Sequence, residues 1–176
     1  MSVVCAKVYH DHITIAADSC VAAGDFVLPF HGIQKLFSAN GMIVGTVGMV
    51  EEISVMQSYL CEIKDSMPND ATPCSISSFI RDYYLYYQDR RGEIDELKRP
   101  EECDTNSFLI VYKGKLFYCK GLEVFEIEDY AAIGSGEQSA TTAMFLGQDP
   151  EEAVKTASAL NVFVRLPVVS FTAERG

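Results

Sequence analysis

Short apolar runs of β type open the chain, recur in its middle and close it, and residue sets at helical spacing lie between them. Val3 to Val8 alternates weakly and Ile13 to Ala17 continues as a second β-rich run. The turn-like Tyr9-His10-Asp11-His12 between them predicts an N-terminal hairpin. Gly32 to Ser38 and Met42 to Val47 read as two more strands, joined across Asn40-Gly41, a strong hairpin signal. After Gly48 the period changes. Ile53, Met56, Tyr59, Leu60 and Ile63 recur every three or four residues, which predicts an amphipathic helix ending near Met67-Pro68-Asn69-Asp70. A second helix begins after Thr72-Pro73, carries Ile76, Phe79, Ile80, Tyr83, Tyr84 and Tyr87 at helical spacing, and ends at Arg91-Gly92. Gly92 to Asp104 is charged and reads as a solvated connection.

From Asn106 the β pattern returns: Phe108 to Tyr112, a Lys113-Gly114 turn, Lys115 to Cys119, Val124 to Ile127, and Tyr130 to Ile133 running into Gly134-Ser135-Gly136. Two helices follow, Gln138 to Leu146 and, behind the start signal Asp149-Pro150, Glu151 to Leu160. Val162 to Phe171 reads as a last strand interrupted at Pro167. Blocks of strands alternating with pairs of helices predict an α+β architecture of two sheets, each covered on its outer face by a helix pair. No repeat or low-complexity segment interrupts this order.

The 176 residues fit one domain spanning 1–176, and 48% hydrophobic against 22% charged residues is enough apolar content for a substantial core. A net charge of −11, from 14 Lys and Arg against 25 Asp and Glu, repels a phosphate backbone, so no nucleic-acid partner is expected. No run approaches the ~20 apolar residues that cross a bilayer, and the N-terminus lacks a signal-peptide pattern, so no membrane partner and a cytoplasmic location are expected. Cys5, Cys20, Cys61, Cys74, Cys103 and Cys119 form no CxxC pair and no zinc spacing, and most read as small buried apolar residues. No metal or cofactor is expected.

Three residues then carry candidate chemistry. Removal of Met1 leaves Ser2 with a free α-amine beside its own hydroxyl, and an α-amine with a pKa of about 7.7 to 8.0 is a competent base near neutrality. Asp18 ends an apolar strand that pairs with the N-terminal one, which brings it toward residue 2 and calls for a cationic partner. Lys35, sharing a strand face with Ile33 and Phe37, supplies that cation. Other features have plainer readings. The Tyr83, Tyr84, Tyr86 and Tyr87 cluster is a packing face, His10, His12 and His31 are solvated, Gly134-Ser135-Gly136 lacks the lysine of a phosphate loop, and Glu123 to Asp129 is a solvated edge.

Ser2, the AADS run around Asp18, Gly24, Lys35, GTVG at 45–48 and IGSG at 133–136 together resemble the catalytic β-type subunits of proteasomes and the HslV peptidase, which are N-terminal nucleophile (Ntn) hydrolases. DYAAIGSGEQSATTAMFL is the best local match, and the motif order spans nearly the whole chain. The resemblance implies a four-layer αββα sandwich and a threonine/serine-type peptidase. Ser2 stands where the family has its nucleophilic threonine, Asp18 and Lys35 on its aspartate and lysine, and Ser135 on the serine near the nucleophile's amine. Gly48, within one residue, stands at the backbone N–H that holds the oxyanion. It implies a peptide or unfolded-protein substrate, homo-oligomeric rings and an ATP-dependent unfoldase partner; this chain has no ATP motif of its own.

The sequence also departs from the family. Asn161, Phe163, Val164 and Arg165 stand where the family has an Asp and a Ser-Gly pair, no Asp follows Asp149, position 20 is Cys, and Ala22 replaces a Thr or Ser. Part of the support for the amine is therefore missing or replaced. Two other readings stay open: a non-catalytic ring or scaffold homologue of the same fold, and a small-molecule Ntn amidase.

Overall fold

The computed structural model describes residues 2–19, 21–23, 26–28, 34–92 and 106–175. Met1, Cys20, Gly24, His31, Gly32, Ile33, Cys103 and the connection over 93–105 lie outside the described residues.

β1 (Val4–Val8) and β2 (His12–Asp18) form the N-terminal hairpin, with Val4 opposite Ala17 and Val8 opposite Ile13. β3 (Val21–Ala23) and β4 (Phe26–Leu28) make a small separate hairpin that the sequence pattern does not announce, because three-residue strands show no period. β5 (Leu36–Ala39) and β6 (Met42–Val47) turn at Asn40 and Gly41, both with positive φ, as their residue types predict. α1 (Val50–Glu62), a single 3-10 turn at Lys64–Ser66 and α2 (Pro73–Gly92) follow. Then come β7 (Ser107–Tyr112), β8 (Lys115–Lys120), β9 (Glu123–Ile127) and β10 (Tyr130–Ile133). α3 (Glu137–Phe145), α4 (Pro150–Leu160) and β11 (Val168–Glu174) complete the chain.

Two antiparallel sheets result, one in the order β10-β1-β2-β11 and one in the order β5-β6-β7-β8-β9. Alternation along each strand sets the layers. On β7, Leu109 and Val111 face the other sheet, where they meet Val4, Ile15 and Ile133. Phe108 and Ile110 face the opposite way and pack under Met56 and Leu60 of α1 and Ile80 and Tyr83 of α2. A strand covered on both faces has no polar side, which is why SFLIVY reads as an unbroken apolar run. Across the first sheet, Cys5 and Ala16 meet Ala140 and Ala143 of α3 and Val154 and Ala157 of α4. The layers are therefore helix, sheet, sheet, helix, the αββα sandwich.

The tyrosines of α2 pack as a core face: Tyr83 is fully buried, 5.8 Å from the Tyr59 ring and 5.9 Å from Phe108 between centroids. Three sequence readings change, the first being that the strand read over 32–38 begins at Leu36, so that Lys35 precedes it. The last strand starts at Val168 rather than Val162, because Pro167 has no N–H to give a ladder and residues 161–167 instead form a turn closed by the Val164 N–H on the Asn161 carbonyl (3.1 Å). Of the described cysteines only Cys5 and Cys119 are buried, while Cys61 and Cys74 are exposed on the outer helices. Burial raises both buried thiols, that of Cys119 to about 12, so they stay protonated packing groups. No described helix is long and apolar enough to cross a membrane.

Candidate active site

The site lies where the first sheet's hairpin, the start of β5, the end of β6 and the β10–α3 turn come together. Ser2 precedes β1 and is 5% exposed. Its backbone N–H donates to Ser135 Oγ at 3.1 Å, and Ser135 Oγ–H donates back to the Ser2 carbonyl at 3.3 Å. The Gly136 N–H donates to the same carbonyl at 3.2 Å. This approach depends on Gly134, at φ +97°, where a Cβ would stand 2.3 Å from the Ser2 carbonyl oxygen. Any side chain at that position pushes the N-terminus away.

Asp18 is the last residue of β2 and 2% exposed. The register that sets Val4 opposite Ala17 places Asp18 beside Val3, whose N–H donates to Oδ1 at 2.9 Å. Lys35, immediately before β5, donates from Nζ to the same oxygen at 2.7 Å, and the Arg165 N–H reaches Oδ2 at 3.2 Å. The side chains of this ion pair are 4% and 0% exposed. Such a pair is tolerable only when the remaining lone pairs are satisfied, and the two backbone N–H groups do that. The Lys35 carbonyl accepts the Thr46 N–H at 2.8 Å, which ties the lysine's backbone to β6. A cleft of about 70 Å³ opens here, lined by Ala17, Asp18, Ser19, Gln34, Lys35 and Val169 among others.

Gly48 follows β6 at φ +135°. Its neighbour Val47 has a methyl 3.2 Å from where a Cβ on Gly134 would stand, so the end of β6 borders the Ser2 turn. The Met49 N–H donates to Asn106 Oδ1 at 2.7 Å, whereas the Gly48 N–H makes no hydrogen bond among the described residues. Of the two adjacent N–H groups, that of Gly48 is the one available to an oxygen from outside.

The structure thus brings two hydrogen-bonded pairs together, Ser2 with Ser135 and Asp18 with Lys35, joined through Val3, whose N–H Asp18 accepts, with Gly48 at their border. Sequence reasoning missed three contributors. Asn161, at the end of α4, donates from Nδ2 to the Ser135 carbonyl at 2.7 Å and accepts the Phe163 N–H at 2.9 Å on Oδ1. Ser19 donates from its N–H to the Arg165 carbonyl (3.1 Å) and from Oγ to the Pro167 carbonyl (2.6 Å), holding the 161–167 turn over Asp18. Asn106 is 1% exposed beside Gly48, and only its position ahead of an apolar strand could have drawn attention to it. Among the described residues no three His, Cys, Asp or Glu side chains converge as a metal site would require.

Layer order, sheet topology and site position together define the fold of the proteasome- and HslV-like Ntn hydrolases, and solved structures carry the same fold. BPH of Thiobacillus denitrificans in complex with epoxomicin matches with a TM-score of 0.82 at 20% identity over 99% of each chain. The eukaryotic HslV of Trypanosoma brucei matches with a TM-score of 0.73 at 20% identity, over 98% of this chain and 99% of that one. Anbu, an ancestral beta-subunit from Yersinia bercovieri, matches with a TM-score of 0.69 at 15% identity, over 97% of this chain and 80% of that one. No family model matches the sequence, and no curated protein does.

Proposed function

We propose that this chain is an N-terminal-nucleophile peptidase that cleaves peptide bonds with Ser2 after Met1 is removed. The observation that carries the reading is the Ser2 nitrogen held 3.1 Å from Ser135 Oγ beside a buried Lys35–Asp18 ion pair. Once residue 2 is the terminus, that nitrogen is an α-amine poised to take the Ser2 hydroxyl proton as Oγ bonds to the substrate carbonyl carbon. The Lys35 ammonium, fixed by Asp18, favours the developing alkoxide, and the Gly48 N–H meets the tetrahedral oxyanion. The proton then passes from the amine to the departing nitrogen, the C–N bond breaks, and an acyl ester on Ser2 remains. Water adds to that ester by the same route and releases the acid, restoring Oγ–H. Ser135, both accepting from the Ser2 nitrogen and donating to its carbonyl, orients the amine, and Asn161 orients Ser135.

In keeping with the family resemblance, copies of the chain form closed homo-oligomeric rings that enclose the nucleophile and receive unfolded protein from an ATP-dependent unfoldase. Native mass spectrometry reads the ring directly.

The test of the chemistry is intact mass before and after epoxomicin, the compound bound in the T. denitrificans structure, with Ser2→Ala alongside. An epoxyketone has a carbonyl for the hydroxyl and an epoxide for the amine, so it reports both groups at once. Loss of Met1 with one adduct, absent in Ser2→Ala, is expected. Retained Met1 and no adduct would leave a scaffold of the same fold.

A further inference from the structure

In the turn after β6 the Met49 carbonyl accepts the Ile53 N–H at 3.2 Å as α1 begins, whereas the Met49 N–H is taken by a side chain. Asn106, 1% exposed and just ahead of β7, accepts the Met49 N–H on Oδ1 at 2.7 Å and donates from Nδ2 to the Met49 carbonyl at 3.3 Å. One side-chain amide therefore grips both polar groups of a single residue. Its own backbone N–H donates to Glu52 Oε2 at 3.3 Å, and Glu52, 1% exposed in the first turn of α1, is anchored further by the Tyr83 hydroxyl on its carbonyl at 3.0 Å. The contact with Gly48 is equally close: a Cβ there would stand 1.9 Å from Asn106 Oδ1. Gly48 is held at φ +135° against that amide, a conformation that other residues adopt only under strain.

We infer that Asn106 is the positioning residue for the oxyanion donor: by gripping Met49 it withdraws one of two adjacent N–H groups and fixes the Gly48–Met49 peptide, leaving the Gly48 N–H as the one that meets the oxyanion. The inference rests on the peptidase reading. Asn106 touches neither substrate nor nucleophile; it acts through Gly48. A preorganised donor stabilises the oxyanion because it needs no reorientation as charge develops. Without the grip, the start of α1 still holds the Met49 carbonyl through the Ile53 N–H, but the Met49 N–H is released beside that of Gly48 and competes with it for the oxyanion.

The test compares two electrophiles carrying the same peptide. With a β-lactone, Ser2 Oγ adds to a carbonyl carbon, the carbonyl oxygen becomes an oxyanion, and ring opening expels the alkoxide. With a vinyl sulfone, Oγ adds to the β-carbon and the α-carbon takes up a proton, so no carbonyl oxyanion forms. Labelling rates are read by intact mass. Asn106→Ala is expected to slow the lactone roughly 10- to 100-fold, less than the ~100- to 1,000-fold that follows loss of a donor, and to leave the vinyl sulfone within about 3-fold. Equal slowing of both probes, or of neither, overturns the inference while leaving Ser2 as nucleophile. Absence of labelling by either probe in the unmodified protein overturns the peptidase reading and this inference with it. Asn106→Ser keeps a hydroxyl acceptor toward the Met49 N–H and adds no charge beside the buried Glu52 carboxylate. It should slow the lactone by less with the sulfone unchanged, and the same two-probe comparison on this variant decides the question if Asn106→Ala fails to fold.

Discussion

Charge is what makes single residues decisive at this site. Asp18 and Lys35 lie in the interior, 2.7 Å apart, where an ammonium without its counter-charge is far more costly than a neutral side chain. Asp18→Asn removes the carboxylate that Lys35 meets and is expected to destabilise the fold by about 3–5 kcal/mol, read as a fall in the urea midpoint at fixed protein concentration. Lys35→Met in the Asp18→Asn background removes the stranded charge, so the double variant should be more stable than the sum of the single changes predicts. Additive losses would mean the pair does not interact as the geometry requires. On the proposed mechanism either single change also removes the electrostatic frame of Ser2, so the double variant, although more stable, should not regain labelling by epoxomicin.

Elements were legible in the sequence wherever their ends carry a chemical signal. Asp149 accepts the Glu152 N–H at 2.9 Å with Pro150 in the first turn, and α4 starts where that pair announces it. The start of α2 is built similarly: Asp70 accepts from the hydroxyls of Ser75 and Thr72, and the Thr72 Oγ1 accepts the Ser75 N–H. Those hydroxyl bonds, Ser75 first, hold the Asp70 carboxyl below the ordinary carboxylate range. A lowered folded pKa means that this contribution is fully present above the unfolded value of about 3.9 and is lost as the pH falls through the folded one. The difference in urea midpoint between the unmodified protein and Asp70→Asn should therefore be constant near neutrality and close on acidification. A gap that widens in acid would contradict the assignment. The same logic explains what the sequence concealed. Asp18 and Lys35 could be paired from the sequence because a charge among apolar neighbours demands a partner, even though Lys35 itself stands just before β5. Asn106 and Asn161 are neutral amides that make no such demand, and their partners, Met49 and Ser135, are chosen only when distant strands and turns come together. Pro167 was visible as a break in the last strand, but that the residues before it wrap the site depends on Ser19 and Asp18, far away in the chain.

At the scale of the whole molecule the two sheets have to approach closely for the site to exist, since Ser2 leads into one of them and Gly48 leaves the other. The approach is set at Gly45 in the middle of β6, where a Cβ would lie 2.5 Å from Val4 Cγ1 and 3.0 Å from Ile15 Cδ1. Val4 Cγ1 belongs to a β-branched side chain and has little freedom to turn aside. Gly45→Ala should therefore force β1 away from β6, lowering stability by about 1–3 kcal/mol as overpacked cores do. Because Val4 stands two residues after Ser2, the same displacement should slow epoxomicin labelling even though no residue of the site has changed. Val4→Ala removes the methyl that collides, at the cost of a small cavity. Combined with Gly45→Ala it should restore part of both the urea midpoint and the labelling rate, a coupling of about 0.5–3 kcal/mol between facing positions. If the double variant is merely the sum of the two single ones, the sheet separation is set elsewhere. If stability recovers and labelling does not, the distance between Ser2 and Gly48 is governed by the turns that carry them rather than by the sheets.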